Sequence, residues 1–233
     1  MTAWAPLSYV PSEVTGGVLR PGGLVLTKIV ADRCGFSQGT DILDIGCGLG
    51  ATLRYLTDRR GCRAYGLDIS AQMLSKCRGL PVLQADATAL PFYDACLDGI
   101  FCECVLSLLP RKAEALQEFR RVLRPGGRLA LTDIYRRGLS PETGWVGTPA
   151  TCLSGAMSCD ALIAQLDESG FDVMLWEDHS RYLAEFSAQM VWVLGSRDLW
   201  LQRLFPGACS AENRRMLQHV RFGYGLWIVR SKG

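Results

Sequence analysis

The sequence predicts an α/β fold, a doubly wound and mostly parallel sheet with helices on both faces. Two observations carry this. The run Asp41-Ile42-Leu43-Asp44-Ile45 reads as a buried strand and passes straight into a glycine turn, Gly46, Gly48 and Gly50, with a helical stretch behind it. Short strand-like and helix-like segments then alternate through residue 134, the pattern of βα units. The chain has 233 residues, 48% of them hydrophobic and 21% charged, so a sizeable core is available. That length suits one α/β domain with an added cap or insertion.

Taken in order, residues 1–20 are apolar and irregular, with Pro6, Pro11, Gly16 and Gly17. Pro21-Gly22-Gly23 leads into a helix over Leu24–Ala31 that ends near Gly35. The first strand and its glycine turn feed a helix over Ala51–Arg60. Arg63–Leu67 is the second strand and ends at Asp68, followed by a helix over Ala71–Cys77. A short third strand spans Pro81–Ala85, and the fourth lies within Ala95–Cys102. Arg111–Leu123 places Ala115, Leu116, Phe119, Val122 and Leu123 on one helical face, and Arg124-Pro125-Gly126-Gly127-Arg128 stops it. Leu129–Ile134 is the fifth strand. Residues 136–157 carry Pro141, Gly144, Gly147, Pro149 and Gly155 and read as a long irregular insertion. Ser158 caps a helix over Cys159–Ser169, Phe171–Trp176 is the sixth strand, and a long helix runs Arg181–Leu194. Ser210 caps Ala211–Arg221, and Gly223–Arg230 is the final strand.

The glycine turn fits G-x-G-x-x-A, a dinucleotide fingerprint, through Gly46, Gly48 and Ala51. Asp44 argues against that use. A pyrophosphate at a helix N-terminus wants positive potential, and a carboxylate beside it repels it. A ligand with a cationic head is attracted instead, and S-adenosylmethionine has an ammonium, a sulfonium and no phosphate.

Asp44-Ile-Gly-Cys-Gly-Leu-Gly50 resembles motif I of the class I S-adenosylmethionine-dependent methyltransferases, in their type 11-like, small-molecule branch. Gln84-Ala-Asp-Ala-x-x-Leu-Pro-Phe92, Asp98-Gly-Ile100 and Glu118-Phe-Arg-Arg-Val-Leu-Arg-Pro-Gly-Gly-Arg-Leu129 extend the resemblance, although Leu97 stands where an aromatic is usual. The resemblance implies a Rossmann-like seven-stranded sheet of order 3-2-1-4-5-7-6 with an antiparallel terminal strand. It implies S-adenosyl-L-methionine as cofactor. Asp44, Gly46, Cys47, Gly48 and Gly50 would cradle it, and Asp68 would accept the ribose diol, with Ile69 and Met73 flanking the adenine. Asp86 and the backbone of Ala87 would read the adenine edge, and the backbone at Cys102 would touch the methionine moiety. Asp68 and Ser70 also serve, in a purely structural reading, as the N-terminal charge and cap of the next helix. The expected organisation is one methyltransferase domain: residues 1–36 as a lid or a helix on the sheet edge, 37–135 as the cofactor-binding core, and 136–233 as insertion, substrate-side helices and final strands.

Catalytic groups are less legible. Cys152-Leu-Ser-Gly-Ala156 resembles a segment of arsenite methyltransferases whose cysteine binds the metalloid, yet neither Cys34 nor Cys209 sits in a matching context. Cys152 is either packed in a loop or a functional thiolate, which requires exposure and a lowered pKa. Glu177-Asp178-His179-Ser180 brings together two carboxylates and a histidine, as a general base or as a helix cap, and Glu103 lies at a strand end facing the ligand side.

Composition excludes several classes. A net charge of +2 does not argue for nucleic acid or an anionic membrane. Ten cysteines include no C-x-x-C pair, and Cys102 with Cys104 lacks a third donor, so no metal is expected. No stretch approaches a membrane span, and the N-terminus lacks the pattern of a secretory signal, so a cytoplasmic protein with reduced thiols is expected. The expected reaction is methyl transfer from S-adenosylmethionine to a small-molecule acceptor. Three alternatives remain: a metalloid or thiol methyltransferase using Cys152, a nicotinamide-dependent oxidoreductase, against which Asp44 speaks, and a noncatalytic S-adenosylmethionine-binding module with a protein partner.

Overall fold

The structure, a computed structural model, describes residues 18–138, 151–204 and 219–232. The leader before residue 18, most of the 136–157 insertion, Cys209, Ser210 and residues 211–218 of the expected penultimate helix lie outside the described residues.

Helix α1, Gly23–Cys34, buries Leu26, Thr27, Val30, Ala31 and Cys34 on one stripe and stops at Gly35, whose φ of 64° and N–H to the carbonyls of Ala31 and Asp32 close the C-terminus. Strand β1, Asp41–Ile45, is followed by helix α2, Ala51–Arg60. Then come β2, Arg63–Asp68, the short α3, Ala71–Leu74, and β3, Val82–Gln84. Strand β4, Leu97–Glu103, leads through a 3-10 turn, Leu106–Leu108, into α4, Lys112–Val122, and β5, Leu123–Arg137. Helix α5, Cys159–Glu168, strand β6, Phe171–Asp178, helices α6, Ser180–Leu194, and α7, Arg197–Leu204, and strand β7, Arg221–Ser231, complete the described elements.

The seven strands form one sheet in the order β3-β2-β1-β4-β5-β7-β6. Strands β3, β2, β1, β4 and β5 are parallel, and β7 is antiparallel to both of its neighbours. Order and sense match the expectation. Strand alternation divides the core into two layers. Leu43, Ile45, Ile100, Leu129 and Leu131 face α4 and α5, where Leu116, Phe119 and Leu166 are fully buried. Ile42, Ala64, Phe101 and Ala130 face the other way, onto Leu26 and Val30 of α1 and Leu53 and Leu56 of α2. Burial on both faces is what parallel strands require.

Several boundaries differ from the sequence expectation. Helix α3 stops at Leu74, and Ser75 to Cys77 continue as hydrogen-bonded turns. Strand β3 has three residues, not five. Pro125-Gly126-Gly127 does not form a loop: β5 starts directly from α4, Leu123 pairs with Leu97 and Arg128 with Gly99, and the residues between bulge out, with Gly126 at φ 78°. Glu177 and Asp178 belong to β6, because its pairing with β7 runs on to Asp178↔Gly225, and Arg221 opens β7 instead of closing a helix.

The loop before α5 is seated on the 3-10 turn. A Cβ on Gly155 would lie 1.8 Å from the Ser107 carbonyl oxygen, a backbone atom that cannot step aside cheaply. Gly155→Ala is therefore expected to lower the unfolding free energy by about 3 kcal/mol, read from the midpoint and slope of urea denaturation.

Candidate active site

The carboxyl ends of β1, β2 and β4 meet at the glycine turn, the edge where open α/β sheets take ligands. Gly46, Gly48 and Gly50 have φ of 67°, 53° and 76°, conformations that side chains resist. Two of them are also tight: a Cβ on Gly46 would lie 2.5 Å from Val105 Cγ2, and one on Gly50 2.5 Å from Leu80 Cδ1. The Cys47 N–H donates to the Leu67 carbonyl at 3.0 Å, and the Cys77 thiol donates to the Gly48 carbonyl at 3.3 Å. The turn is thus preformed.

Asp68 couples this turn to the next helix. Its Oδ2 accepts from Gly48 N at 2.9 Å and its Oδ1 from Ser70 N at 2.9 Å. Ser70 caps α3 by accepting from Met73 N. The capping reading and the ligand reading therefore coexist, since each carboxylate oxygen keeps a further lone pair. Ile69, beside Asp68, is 60% exposed, and Met73 is half-buried. Across the edge, Asp86 Oδ1 accepts from the N–H and the hydroxyl of Thr88, which hold its carboxyl below the usual range. Ala87 is buried beside it.

The floor of the cleft is a charged cluster. Glu103, at the end of β4, accepts from Thr27 Oγ1 at 3.0 Å and Thr52 Oγ1 at 2.8 Å, and its Oε2 lies 2.7 Å from Arg20 Nη2. The same Arg20 nitrogen donates to both threonine hydroxyls. Asp44 is 3% exposed, and its Oδ2 has no hydrogen-bond partner. Burial, and then the neighbouring Glu103 carboxylate, push the Asp44 carboxyl well above the usual range. Arg20 Nε is likewise buried without a partner.

Three catalytic candidates are tied into the fold. Glu103 is engaged by a guanidinium and two hydroxyls, so its oxygens are occupied by bonds within the protein. Cys152 is buried, and burial pushes its thiol up to about 12, so the exposure and lowered pKa that a functional thiolate needs are both missing. His179 Nε2 lies 3.0 Å from Glu177 Oε2, Glu177 also pairs with Arg33, and the imidazole stacks on Tyr182 at 5.8 Å. No hydrogen bond joins His179 to the Asp44 and Glu103 cluster. Asp178 accepts from Ser180 N at 2.9 Å, but the N-cap position of α6 is His179, whose side chain makes no capping bond, so neither Asp178 nor Ser180 is the cap that the sequence suggests. Cys102 as a whole residue is fully buried in the core.

Sequence reasoning missed Arg20, Thr27, Thr52, Ser107 and Asp133. A signal existed for two of them. Thr27 interrupts the apolar stripe of α1, and Asp133 interrupts the apolar run of β5. Asp133 is 2% exposed and accepts from Ser107 N at 2.8 Å, Ser107 Oγ at 2.6 Å and Ile134 N at 2.7 Å. Burial nonetheless raises its carboxyl to about 6.

Comparison with known proteins agrees with this arrangement. A family model described as "Methyltransferase domain" matches residues 43–131. Methyltransferase GfsG of Streptomyces halstedii is 30% identical over 186 residues, which cover 74% of this chain and 67% of that protein. An arsenite methyltransferase of Halobacterium salinarum is 31% identical over 152 residues, covering 59% of this chain and 39% of that protein. The crystal structure of the [4+2]-cyclase SpnF superposes with a TM-score of 0.72 at 25% identity, over 89% of this chain and 80% of that one.

Asp133 yields a pH signature. Its folded pKa of about 6 lies above the unfolded 3.8, so the stability it contributes is complete below the unfolded value and lost as pH rises through about 6. Asp133→Asn cannot ionise. Relative to wild type, its unfolding free energy is expected to rise by about 3 kcal/mol between about pH 4 and about pH 7. Parallel pH profiles for the two proteins in urea denaturation would contradict this.

Proposed function

This chain belongs to the S-adenosylmethionine-dependent methyltransferases, and from that premise we propose that it methylates a small-molecule acceptor through the cleft at the carboxyl ends of β1, β2 and β4. S-adenosylmethionine, when bound, supplies an electrophilic methyl: one carbon–sulfur bond breaks, its electron pair stays on sulfur, a bond forms from the methyl to the acceptor atom, and the acceptor's proton passes to solvent. Catalysis of this kind rests on alignment and desolvation, so the residues that hold the two partners matter more than a dedicated base.

The observation that carries the reading is the unpartnered Oδ2 of Asp44. A buried carboxylate without a partner is costly unless a cation reaches it. An amino-acid head group has an ammonium to meet Asp44 Oδ2 and a carboxylate to meet the unpartnered Nε of Arg20. The preformed turn at Gly46, Cys47, Gly48 and Gly50 then lets the ligand approach the backbone. Asp68, already oriented by Gly48 and Ser70, takes the ribose hydroxyls, with Ile69 and Met73 against the adenine and Asp86 and Ala87 at its edge. The Cys102 backbone faces the methionine part. Arg20 belongs to the 1–36 segment, and its bond to Glu103 supports that segment's role as a cover for the cleft.

A small molecule is the acceptor in this reading. The net charge of +2 offers no field for a polyanion, and no helix among the described residues is long and apolar enough to cross a membrane. The buried Cys152 thiol, with its pKa of about 12, speaks against thiolate chemistry at that residue.

The test is calorimetric titration with S-adenosylmethionine across pH. Asp44 must lose its proton to hold an ammonium, so affinity is expected to fall as pH drops through its raised pKa, with a proton released on binding. Asp44→Asn is expected to bind at least about ten-fold more weakly, or about 1.4 kcal/mol, with that pH dependence gone. Unchanged affinity and unchanged pH dependence in Asp44→Asn would sink the reading.

A further inference from the structure

We propose that the cavity between the N-terminal end of α1 and helix α6 is the acceptor subsite, and that it takes a neutral, largely apolar small molecule. The inference rests on the cofactor reading above and adds the class of substrate. The cavity encloses about 350 Å³, within the range of ligand pockets. Leu24 and Val25 on α1 and Tyr182 and Phe186 on α6 line it. Leu24 is 38% exposed and Val25 63% exposed, although both lie in the first turn of a helix whose other apolar residues are buried or, at Ile29, half-buried. Apolar side chains left bare on the wall of a cavity this size are what an apolar ligand would cover.

Its connection to the cofactor cleft is Arg20. This side chain lines the cavity and also bonds Glu103 on the cleft floor. The two spaces therefore share Arg20 as a wall, which sets the cavity beside the cleft at the end of β4.

Charge decides the class. Among the described residues of the lining Arg20 is the one basic group; its Nη2 is engaged by Glu103, Thr27 and Thr52, and its Nε is taken by the cofactor carboxylate in the reading above. Asp44 lies in the same charged cluster, and Glu185 stands in the lining, exposed on α6. An anionic acceptor would meet carboxylates and, among the described residues, no free cation, and it would lose its water without a replacement. A neutral body of aromatic or branched aliphatic character loses nothing comparable, and the Tyr182 and Phe186 rings offer it faces and edges to pack on.

The probe pair is 2-naphthol and 2-naphthoate, alike in size and different in charge at neutral pH. Each is titrated calorimetrically into the full chain saturated with S-adenosylhomocysteine. The naphthol is expected to bind at least about ten-fold more tightly than the naphthoate. Val25→Trp places a large ring in the cavity from an exposed position that the fold tolerates. It is expected to weaken the naphthol by at least about ten-fold and to leave S-adenosylhomocysteine affinity unchanged. Equal or tighter binding of the naphthoate, no binding of either probe, or an unaltered naphthol affinity in Val25→Trp overturns the proposal. Failure of the wild-type chain to bind S-adenosylhomocysteine sinks the cofactor reading instead, and the same probes on the free chain then judge the cavity by itself.

Discussion

One guanidinium among three elements of the fold organises this site. Arg20 comes from the segment before α1, Thr27 from α1, Thr52 from α2 and Glu103 from the end of β4, and hydrogen bonds join all four. A buried ion pair is favourable only when its remaining donors and acceptors are satisfied. Here the two threonine hydroxyls donate to Glu103 and accept from Arg20, while Arg20 Nε stays without a partner. Losing Arg20 or Glu103 would leave the other charge stranded at the point where two helices meet the sheet. The arrangement also sets the height of the cleft floor, because the segment carrying Arg20 is pinned to the strand end on which the ligand would rest.

Three carboxylates close to one another have been given different tasks by their surroundings. Asp68 is bonded to two backbone N–H groups and acts as a brace between the glycine turn and α3. Glu103 is paired. Asp44 is buried with one oxygen unmet. Burial without a partner costs free energy in the empty protein, and a cationic ligand relieves that cost on binding. This is a physical reason for selectivity toward a cation that requires no close contact with the rest of the ligand. It also explains why the G-x-G-x-x-A turn here does not imply a pyrophosphate.

The C-terminal half braces the sheet beyond its parallel part. The long antiparallel pairing of β5 with β7 runs from Arg128↔Arg230 to Arg137↔Arg221 and carries both strands past the parallel part of the sheet. Asp133, on β5, then holds the 3-10 turn after β4 through Ser107, and Gly155 lets the following loop sit on that turn. The cost of burying the Asp133 carboxyl is partly offset by three hydrogen bonds. Cys152 is enclosed by the same packing, and this burial pushes its thiol pKa up.

Local sequence determined the strands, most helix ends and the glycine turn, because apolar periodicity, Gly35 and the glycines at 46, 48 and 50 act within a few residues of where they stand. Asp44 and Asp68 were legible for the same reason, being charges at the ends of apolar strands. The strand order came from family resemblance, since periodicity does not say which strand lies beside which. The Pro125-Gly126-Gly127 bulge was misread because Gly and Pro end a helix equally well in a loop or in a kinked strand. Only the tertiary structure decided what became of the polar side chains in between. Arg20 met Glu103, His179 was taken by Glu177 and Tyr182, and Cys152 was sealed under a loop. Those outcomes depend on contacts between residues far apart in the chain, and burial and charge partners at such contacts, unlike the residue type itself, are written nowhere in the local pattern.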